Sequence, residues 1–245
     1  MDPAPVVLPL TDAMRSRHRV QQLLDSGALS MVFQPIVELD TRAMVGTEAL
    51  ARFSAEPNRG PQAWFADAGQ AGLLTELEIC AITKALGWCG RLPEGVLLYV
   101  NASPSTLATA EFLEAVPASI ASRVVIEVAA EATVRSYRLL EKSLGHLRES
   151  GAKLAVDDAG SGAASLSHLA KLRPEVIKLD GSLTRGVAGD VAIRAIARGL
   201  VAFADELGAS VIAEAIETEE ELEALIALGV HHGQGFLFGH PAALA

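Results

Sequence analysis

Eight apolar runs typical of β-strands alternate with helical patterns along this 245-residue chain. The predicted strands lie at residues 30–39, 44–53, 95–103, 122–129, 152–158, 175–180, 209–216 and near 233–237. The main helical patterns run from Met14 to Leu24, Ser136 to Glu149, Val191 to Leu207 and Glu219 to Leu228. This alternation indicates the α/β class with a parallel sheet, and eight strands in a domain of this length favour a closed (β/α)8-type barrel.

The connection between the first two predicted strands is an exception. Residues 37–46, VELDTRAMVG, are too few to contain a crossover helix, so these strands should form a hairpin and run antiparallel. The sequence therefore predicts a TIM-like (β/α)8 barrel with an antiparallel first strand. We interpret residues 1–13, which contain prolines and show no pattern, as a flexible tail, and residues 14–245 as one barrel domain.

Composition and charge argue against several classes of function. The formal net charge is −10, aromatic residues are only 4% of the chain, and no cluster of Lys and Arg stands out, so a platform for a DNA or RNA polymer is not expected. No apolar run reaches about 18 residues, and no basic leader precedes an apolar core, so we expect no transmembrane segment or secretory signal and interpret the chain as cytoplasmic. If residues 75–90 form one helix, Cys80 and Cys89 lie on opposite faces and are expected to be free thiols.

Polar residues recur near the C-terminal ends of the second to eighth predicted strands. They are Glu48, Asn101, Glu127, the pair Asp157 and Asp158, Lys178, Glu214 and Gln234. From Asn101 onward they recur about every 27 residues, close to the repeat of an eight-unit barrel of about 250 residues. We therefore expect them to converge on one rim of the barrel, where such enzymes have their active sites.

The chemistry of this set suits hard cations. Carboxylates and amide oxygens without His or Cys favour Mg²⁺ or Mn²⁺ over Zn²⁺. Two such cations can clamp a phosphodiester and activate a water between them. Asp157 and Asp158 repel each other and lose water, a cost that binding to cations would offset. Lys178 could orient the water or neutralise developing charge.

Each residue also has an ordinary structural interpretation. A single Glu at a strand end is usually solvated or ion-paired. The sequence VDDAG can form a turn or a helix cap. Lys178 could pair with Asp180 or a neighbouring carboxylate. The regular placement on successive strands nevertheless favours a shared functional role over a set of unrelated structural ones.

The same residues lie in eight segments which, in chain order, are FQPIVEL, GTEALARF, VNAS, VIEVA, VDDAGSG, VIKLDGSL, VIAEAIET and QGFLFGHP. These segments resemble the motifs of the EAL domain family, the phosphodiesterases that linearise cyclic di-GMP. The resemblance extends from about Met14 to Ala242. Eight motifs in this order are a specific signal, whereas the tripeptide Glu48-Ala49-Leu50 alone is not.

The resemblance implies a role for each of the site residues in these motifs. Two divalent cations, Mg²⁺ or Mn²⁺, would be bound by Glu48, Asn101, Glu127, Asp157, Asp158 and Glu214. The catalytic group would comprise Lys178, which positions the water, Glu214 and Glu217, which complete the metal and water shell, and Gln234, which contacts the water or ligand. Cyclic di-GMP would be contacted by Gln34, Leu50, Arg52 and Asp180, and the product would be linear pGpG.

The chain departs from the family pattern in the residues that support the site. Ala130 replaces the second glutamate of the family's ExTE motif, which usually holds the loop after the paired aspartates; Glu131, one position along, would point elsewhere. In that loop, Ala159 and Ala163 replace the usual Phe and Tyr, so the loop is expected to be more mobile. The loop also shapes a common dimer interface in the family, which makes a homodimer one expectation.

Three functions are open on this basis. The preferred hypothesis is a metal-dependent phosphodiesterase that hydrolyses cyclic di-GMP. The altered residues Ala130 and Ala159 motivate an alternative, a weak or inactive EAL domain acting as a cyclic di-GMP receptor or protein-interaction module. A barrel enzyme that acts on another phosphorylated substrate is the least favoured hypothesis, because it would require all eight motifs to be coincidental.

Overall fold

Eight strands close into a barrel whose spatial order is the order of the chain. The computed structural model describes residues 11–130, 137–160 and 166–244. The strands are β1 (Leu29–Glu38), β2 (Met44–Phe53), β3 (Leu97–Asn101), β4 (Val124–Ala129), β5 (Lys153–Ala159), β6 (Val176–Leu179), β7 (Ser210–Ala213) and β8 (His232–Gly233). The predicted α/β barrel is confirmed.

Strand β1 runs against its two neighbours. It pairs antiparallel with both β2 and β8, whereas the other neighbouring strands pair in parallel. The turn between β1 and β2 contains Arg42 in the left-handed region at φ 58° and is too short for a helix. The predicted hairpin is confirmed, and its register places Gln34 opposite Glu48.

Helices connect most of the strands. In chain order they are α1 (Asp12–Ser26), α2 (Pro61–Ala71), α3 (Leu74–Leu86), a 3-10 helix (Cys89–Arg91), α4 (Pro104–Leu107), α5 (Ala110–Ala115), α6 (Ala118–Ala121), α7 (Tyr137–Glu149), α8 (Leu166–Leu172), α9 (Gly181–Thr184), α10 (Val191–Leu207) and α11 (Glu219–Ala227). Within the described ranges, none of these helices is long and apolar enough to cross a bilayer.

Two of the helices differ from prediction. Helix α1 begins at Asp12 rather than Met14, because the Thr11 hydroxyl accepts a hydrogen bond from the Met14 N–H at 3.3 Å. The segment 75–90 is not one helix, since α3 ends at Leu86 and Cys89 lies in the 3-10 helix. Both cysteines are nevertheless free, as expected.

The last two strands are shorter than predicted. Strand β7 ends at Ala213 rather than near residue 216, because Ala215 adopts φ 54° and turns the chain out of the barrel. Strand β8 comprises only His232–Gly233, and the predicted strand up to residue 237 is wrong. Residues 235–238 instead form a turn in which the Phe238 N–H donates to the Gly235 carbonyl at 3.1 Å.

Two apolar layers surround and fill the barrel. An interior layer closes one end of the lumen and consists of Ile36, Tyr99, Val125, Ala155, Val176 and Ile212, with Val45 and Leu97 packed against it. Gly46 leaves room for the Tyr99 ring, since a Cβ at Gly46 would lie 2.7 Å from Tyr99 Cε2. The larger core lies between the strands and the surrounding helices, and a separate cluster around the fully buried Trp64 packs α1, α2 and α3 together.

Candidate functional site

A ring of polar side chains lies inside the barrel, directly above the interior apolar layer. Side chains two positions apart on a strand share a face. Each parallel strand that supplies an apolar residue to that layer is therefore followed, two residues later, by a polar residue on the same face. These polar residues are Asn101, Glu127, Asp157, Lys178 and Glu214. Strand β1 runs the other way, so Gln34 comes two residues before Ile36. The sequence thus closes the lumen below and leaves its C-terminal end polar.

Lys178 is the centre of this ring. Its ammonium is fully buried and lies within ion-pair distance of four carboxylates. The distances from Lys178 Nζ are 2.8 Å to Glu127, 2.8 Å to Glu214, 3.3 Å to Asp157 and 3.4 Å to Glu48. Burial of these charges is tolerated because each faces an opposite charge at short distance.

Amide side chains hold the Glu48 carboxylate from both sides. Asn101 Nδ2 donates to Glu48 Oε1 at 2.9 Å and to Glu127 Oε2 at 3.2 Å. Gln234 Nε2 donates to Glu48 Oε2 at 2.9 Å and to Gln34 Oε1 at 3.0 Å. Because Asn101 donates through Nδ2, its Oδ1 is available to another ligand. Residues from strands β1 to β4 and from the segment after β8 are therefore joined in one network.

A β-bulge explains how two adjacent aspartates serve one site. In a regular strand Asp157 and Asp158 would point to opposite faces. The pairing of β5 with β6 shifts register between Val156 and Ala159, so that both aspartates lie opposite the single residue Lys178. Asp158 adopts the left-handed conformation at φ 58°, which turns the chain out of the pleat.

The bulge completes a carboxylate cluster near the mouth of the barrel. One oxygen from each of Asp157, Asp158 and Glu214 lies within 4.8 Å of the other two. The Asp157 and Glu214 side chains are 18% and 20% exposed, whereas Glu127 is inaccessible, so solvent reaches the cluster but not Glu127. An all-oxygen set of this kind fits Mg²⁺ or Mn²⁺ and is a poor match for soft metal ions.

Burial and mutual repulsion set the protonation of the ring. Burial and the charge of Glu48 raise the pKa of Glu127 well above its usual value. Burial, together with the charge of Asp157, raises the pKa of Glu214 to about 7, although Lys178 opposes this. Burial also raises the pKa of Glu48, but Lys178, Gln234 and Asn101 outweigh that effect and lower it overall.

The pKa of Lys178 depends on the same carboxylates. Burial favours its neutral form, but the four surrounding carboxylates outweigh burial and hold its pKa well above the usual value for lysine. Lys178 is therefore a permanent cation at neutral pH, while Glu214 exchanges a proton near neutrality.

A cavity of about 330 Å³ opens above the ring. Its lining includes three residues that the family resemblance assigns to the ligand, Gln34, Leu50 and Asp180, and the predicted catalytic residues Glu214, Glu217 and Gln234. Asp180 is fixed at the start of α9, where its Oδ1 accepts a hydrogen bond from the Ser182 N–H at 2.9 Å. Glu217 is exposed at the rim.

Arg52 lies apart from this cavity. It lines a second, mainly apolar cavity of about 560 Å³, together with residues such as Phe65, Ile82 and Val100. Glu48 and Leu50 line both cavities, so the two spaces meet at the EAL tripeptide. The structure thus brings every predicted site residue to the same end of the barrel but divides the predicted ligand contacts between two cavities.

The supporting residues around the bulge are small, as the sequence indicates. Ala130 and Ala159 are buried, and the Ala130 N–H donates to the Asp157 carbonyl at 2.8 Å. Glu131 and Ala163 lie outside the described residues, and so does the loop 161–165. The expectation of a more mobile loop and of a dimer interface there remains a prediction.

Several residues of the cavity were not predicted from the sequence. Gly181, Arg185, Ala215 and Phe236 also line the 330 Å³ space. Phe236 is 54% exposed, and its ring lies 4.1 Å from that of His240. An aromatic residue just after Gln234 was a usable signal for Phe236. Arg185 had none, because it follows a four-residue helix that no periodicity reveals.

Comparison with known proteins identifies the family of this chain. A family model described as the EAL domain matches residues 17–241. A cyclic di-GMP phosphodiesterase of Pseudomonas aeruginosa is 31% identical over 229 residues, which cover 86% of this chain and 38% of that protein. Other curated relatives are also longer, and the chain spans 30–37% of the length of examples from Mycobacterium tuberculosis and Escherichia coli.

Solved structures share the barrel. The PaMucR phosphodiesterase in complex with cyclic di-GMP matches with a TM-score of 0.82 and 26% identity, covering 94% of this chain and 98% of that one. Klebsiella pneumoniae BlrP1 with calcium and cyclic di-GMP matches with a TM-score of 0.77 and 31% identity, covering 90% of this chain and 57% of that one. With a family match over most of its length and a barrel that collects the family's motif residues at one end, the chain belongs to the EAL domain family.

Proposed function

We propose that this protein hydrolyses cyclic di-GMP to linear pGpG with the help of two divalent cations, Mg²⁺ or Mn²⁺. The observation that carries the proposal is the ring of carboxylates and amides around Lys178, which opens into a cavity. The relative from Pseudomonas aeruginosa and PaMucR are both named phosphodiesterases. BlrP1 structures that contain cyclic di-GMP together with calcium or manganese support a metal-dependent reaction.

The proposed cation ligands are the oxygen donors of the ring. They are Glu48, Asn101 through Oδ1, Glu127, Asp157, Asp158 and Glu214. The cluster of Asp157, Asp158 and Glu214 supports this assignment, since three carboxylates so close together favour a bound cation at neutral pH. Bound divalent cations would neutralise the phosphodiester and lower the pKa of a bound water.

Other residues of the ring act directly on the water and on the ligands. The ammonium of Lys178 orients the attacking water and offsets negative charge that develops at the phosphorus. Gln234 holds Glu48 through its Nε2, while its buried Oε1 has no partner among the described residues and is free to accept a hydrogen bond. Glu217, at the exposed rim, completes the shell around the water.

The two cavities suit an extended cyclic dinucleotide. Gln34, Leu50 and Asp180 would contact one half of the ligand, and Arg52 the other, with a phosphate between them near Glu48. Hydrolysis adds one water across one P–O bond of the ring. The opened chain then carries a 5′-phosphate at one end and a 3′-hydroxyl at the other.

A second candidate function is a cyclic di-GMP receptor or protein-interaction module without useful turnover. The observation that favours it is the small residue set beside the bulge. Ala130 and Ala159 are fully packed but offer no carboxylate or ring to hold the following loop. Loss of residues that orient metal ligands typically lowers metal affinity or activity about 10–100-fold.

A turnover assay separates the two functions. Purified protein is incubated with cyclic di-GMP and Mg²⁺ or Mn²⁺, and linear product is followed by ion-exchange chromatography. Glu48→Ala should abolish product, whereas Glu76→Ala, at an exposed position of α3, should not. Product formed without metal or by Glu48→Ala would contradict the proposal. Tight binding of cyclic di-GMP without product would identify a receptor.

A further inference from the structure

Arg185 brings a positive charge to a cavity whose other charged residues are acidic. The acidic lining residues of the 330 Å³ cavity are Glu48, Asp180, Glu214 and Glu217, and Arg185 is the cationic side chain among its described lining residues. Lys178 lies below, fully buried and shared by four carboxylates. Arg185 is exposed, and its guanidinium has no hydrogen-bond acceptor or carboxylate partner among the described residues, although its backbone N–H donates to the Gly181 carbonyl. Its guanidinium is therefore free to bind a ligand.

Gly181 allows this guanidinium to lie against the wall of the cavity. A Cβ placed on Gly181 would lie 3.2 and 3.4 Å from Arg185 Nη1 and Nη2 and 2.8 Å from Ala215 Cβ. The Arg185 side chain therefore folds back from the C-terminal end of α9 over its first residue. A larger residue at position 181 would displace the guanidinium from this position.

Helix α9 presents two complementary groups to the same space. Asp180 precedes it, with a carboxylate fixed by the Ser182 N–H, and Arg185 follows it. The five-residue separation corresponds to about 7.5 Å along a helix axis, and the folded-back side chain of Arg185 shortens the distance between the charged groups. A flat ligand in the cavity can thus donate hydrogen bonds to the Asp180 carboxylate and accept them from the Arg185 guanidinium at the same time.

We propose that Arg185, acting with Asp180, selects guanine over adenine in the bound dinucleotide. This inference rests on the proposed function, because it concerns one base of the same ligand. Guanine offers the acceptors O6 and N7 to a guanidinium fork, and its N1–H and 2-amino group to a carboxylate. Adenine has an amino donor in place of O6 and lacks the 2-amino group, so both pairings are lost.

Equilibrium binding of two dinucleotides tests the inference. Dissociation constants for cyclic di-GMP and cyclic di-AMP are measured with Ca²⁺, the cation found with cyclic di-GMP in BlrP1, and ligand integrity is checked by chromatography. The variants are Arg185→Met, Arg185→Lys and the matched control Arg198→Met, an exposed arginine of α10 that lines neither cavity. Thermal unfolding verifies that each variant is folded.

The expected result is a loss of selectivity. Arg185→Met should weaken cyclic di-GMP binding about tenfold and leave cyclic di-AMP binding within about twofold, the size expected for one bidentate contact to a base. Arg185→Lys should also reduce the preference for cyclic di-GMP over cyclic di-AMP, because an ammonium lacks the planar pair of donors that a guanidinium has. Arg198→Met should leave both constants unchanged.

Three other results would overturn the inference. Equal weakening of both dinucleotides by Arg185→Met, with recovery in Arg185→Lys, would show that Arg185 binds phosphate. Unchanged constants in Arg185→Met would show that it binds neither base nor phosphate. In both cases the proposed function stands, because the unaltered protein binds cyclic di-GMP. Failure of the unaltered protein to bind either dinucleotide would overturn the inference and the proposed function together.

Discussion

Lys178 Nζ lies 2.8 Å from Glu127 Oε1, and neither side chain is exposed to solvent. Removal of either partner of such a buried pair leaves an uncompensated buried charge, which is strongly destabilising. Glu48, Asp157 and Glu214 share the same ammonium, so one positive charge offsets part of the repulsion among four carboxylates. The stability of the barrel and the geometry of the site therefore depend on the same side chain.

We expect Lys178→Met to destabilise the metal-free protein by about 3–5 kcal/mol at neutral pH, the usual effect of removing one partner of a buried ion pair. The raised pKa of Lys178 means that its contribution is fully present below about pH 10 and is lost only as pH rises through the higher folded-state pKa. Urea unfolding at pH 8 in the presence of a chelator measures the difference.

The deficit of Lys178→Met should become smaller at pH 5.5, because Glu127 and Glu214 have raised pKa values and can neutralise themselves by protonation once the ammonium is gone. Lys84→Met, at an exposed position of α3, is the matched control and should be neutral at both pH values. A deficit that is the same at both pH values would contradict the assignment of Lys178 as the counter-ion of the ring.

Metal binding should depend on pH through Glu214. Its pKa of about 7 means that a divalent cation must displace a proton from it below neutrality. The apparent affinity for Mn²⁺ should therefore rise about tenfold per pH unit up to about pH 7 and then level off. Calorimetric titrations in two buffers of different ionisation enthalpy give the number of protons released.

Glu214→Gln provides the control for this pH dependence. The amide cannot titrate, so the variant should bind Mn²⁺ more weakly but with a smaller slope against pH between 5.5 and 7. An unchanged slope in Glu214→Gln would assign the released proton to another group, such as Glu127, whose pKa is also raised.

The barrel and most of its polar ring could be predicted because both depend on short-range rules. The period-two alternation of strands places Glu127 above Val125 and Lys178 above Val176. The length of the connection between β1 and β2 was enough to predict the hairpin. The strand ends were predicted less accurately. Strand β8 stops at Gly233, and the following residues Gln234 and Leu237 form backbone hydrogen bonds with Ile216, a contact that local sequence does not reveal.

The details that position the carboxylates could not be predicted in the same way. Strand alternation places Asp157 and Asp158 on opposite faces, and the register shift between β5 and β6 accompanies the approach of both carboxylates to Glu214. The position of Arg185 depends on the space left by Gly181, which itself lies against Ala215 from a later segment of the chain. Such long-range steric fits leave no periodic signal in one sequence.

Substitutions of Asp158 should separate the effect of backbone strain on stability from the effect of the carboxylate on cation binding. A non-glycine residue in the left-handed region is disfavoured by about 1 kcal/mol, and Asp158 has φ 58°. Asp158→Gly should therefore be about 1 kcal/mol more stable than Asp158→Ala, while both bind Mn²⁺ at least about tenfold more weakly than the unaltered protein. Because both variants lack the carboxylate, the difference between them isolates the backbone. Equal urea midpoints for the two would show that the bulge carries no such strain.

The buried carboxylate of Asp67, on α2, attaches helix α1 to α2. It accepts hydrogen bonds from Ser16 at 3.1 Å and from Arg19 at 2.8 Å, and it also pairs with Arg59. Burial raises the pKa of Asp67, but the hydrogen bonds from Arg59, Arg19 and Ser16 outweigh burial and lower it overall. Asp67→Ala leaves two arginines without their acceptor and should cost about 3 kcal/mol at pH 7.

The depressed pKa of Asp67 also fixes the pH range of its contribution. The contribution is complete above the unfolded value near 3.9 and is lost as pH falls through the lower folded-state pKa. Urea unfolding of Asp67→Ala should thus show a full deficit at pH 7 and a smaller one at pH 3. The control Asp205→Asn, exposed on α10, should change stability little at either pH. Since Asp67 lines neither cavity, a selective loss of Mn²⁺ affinity in a folded Asp67→Ala protein would show that α1 acts on the site and not only on stability.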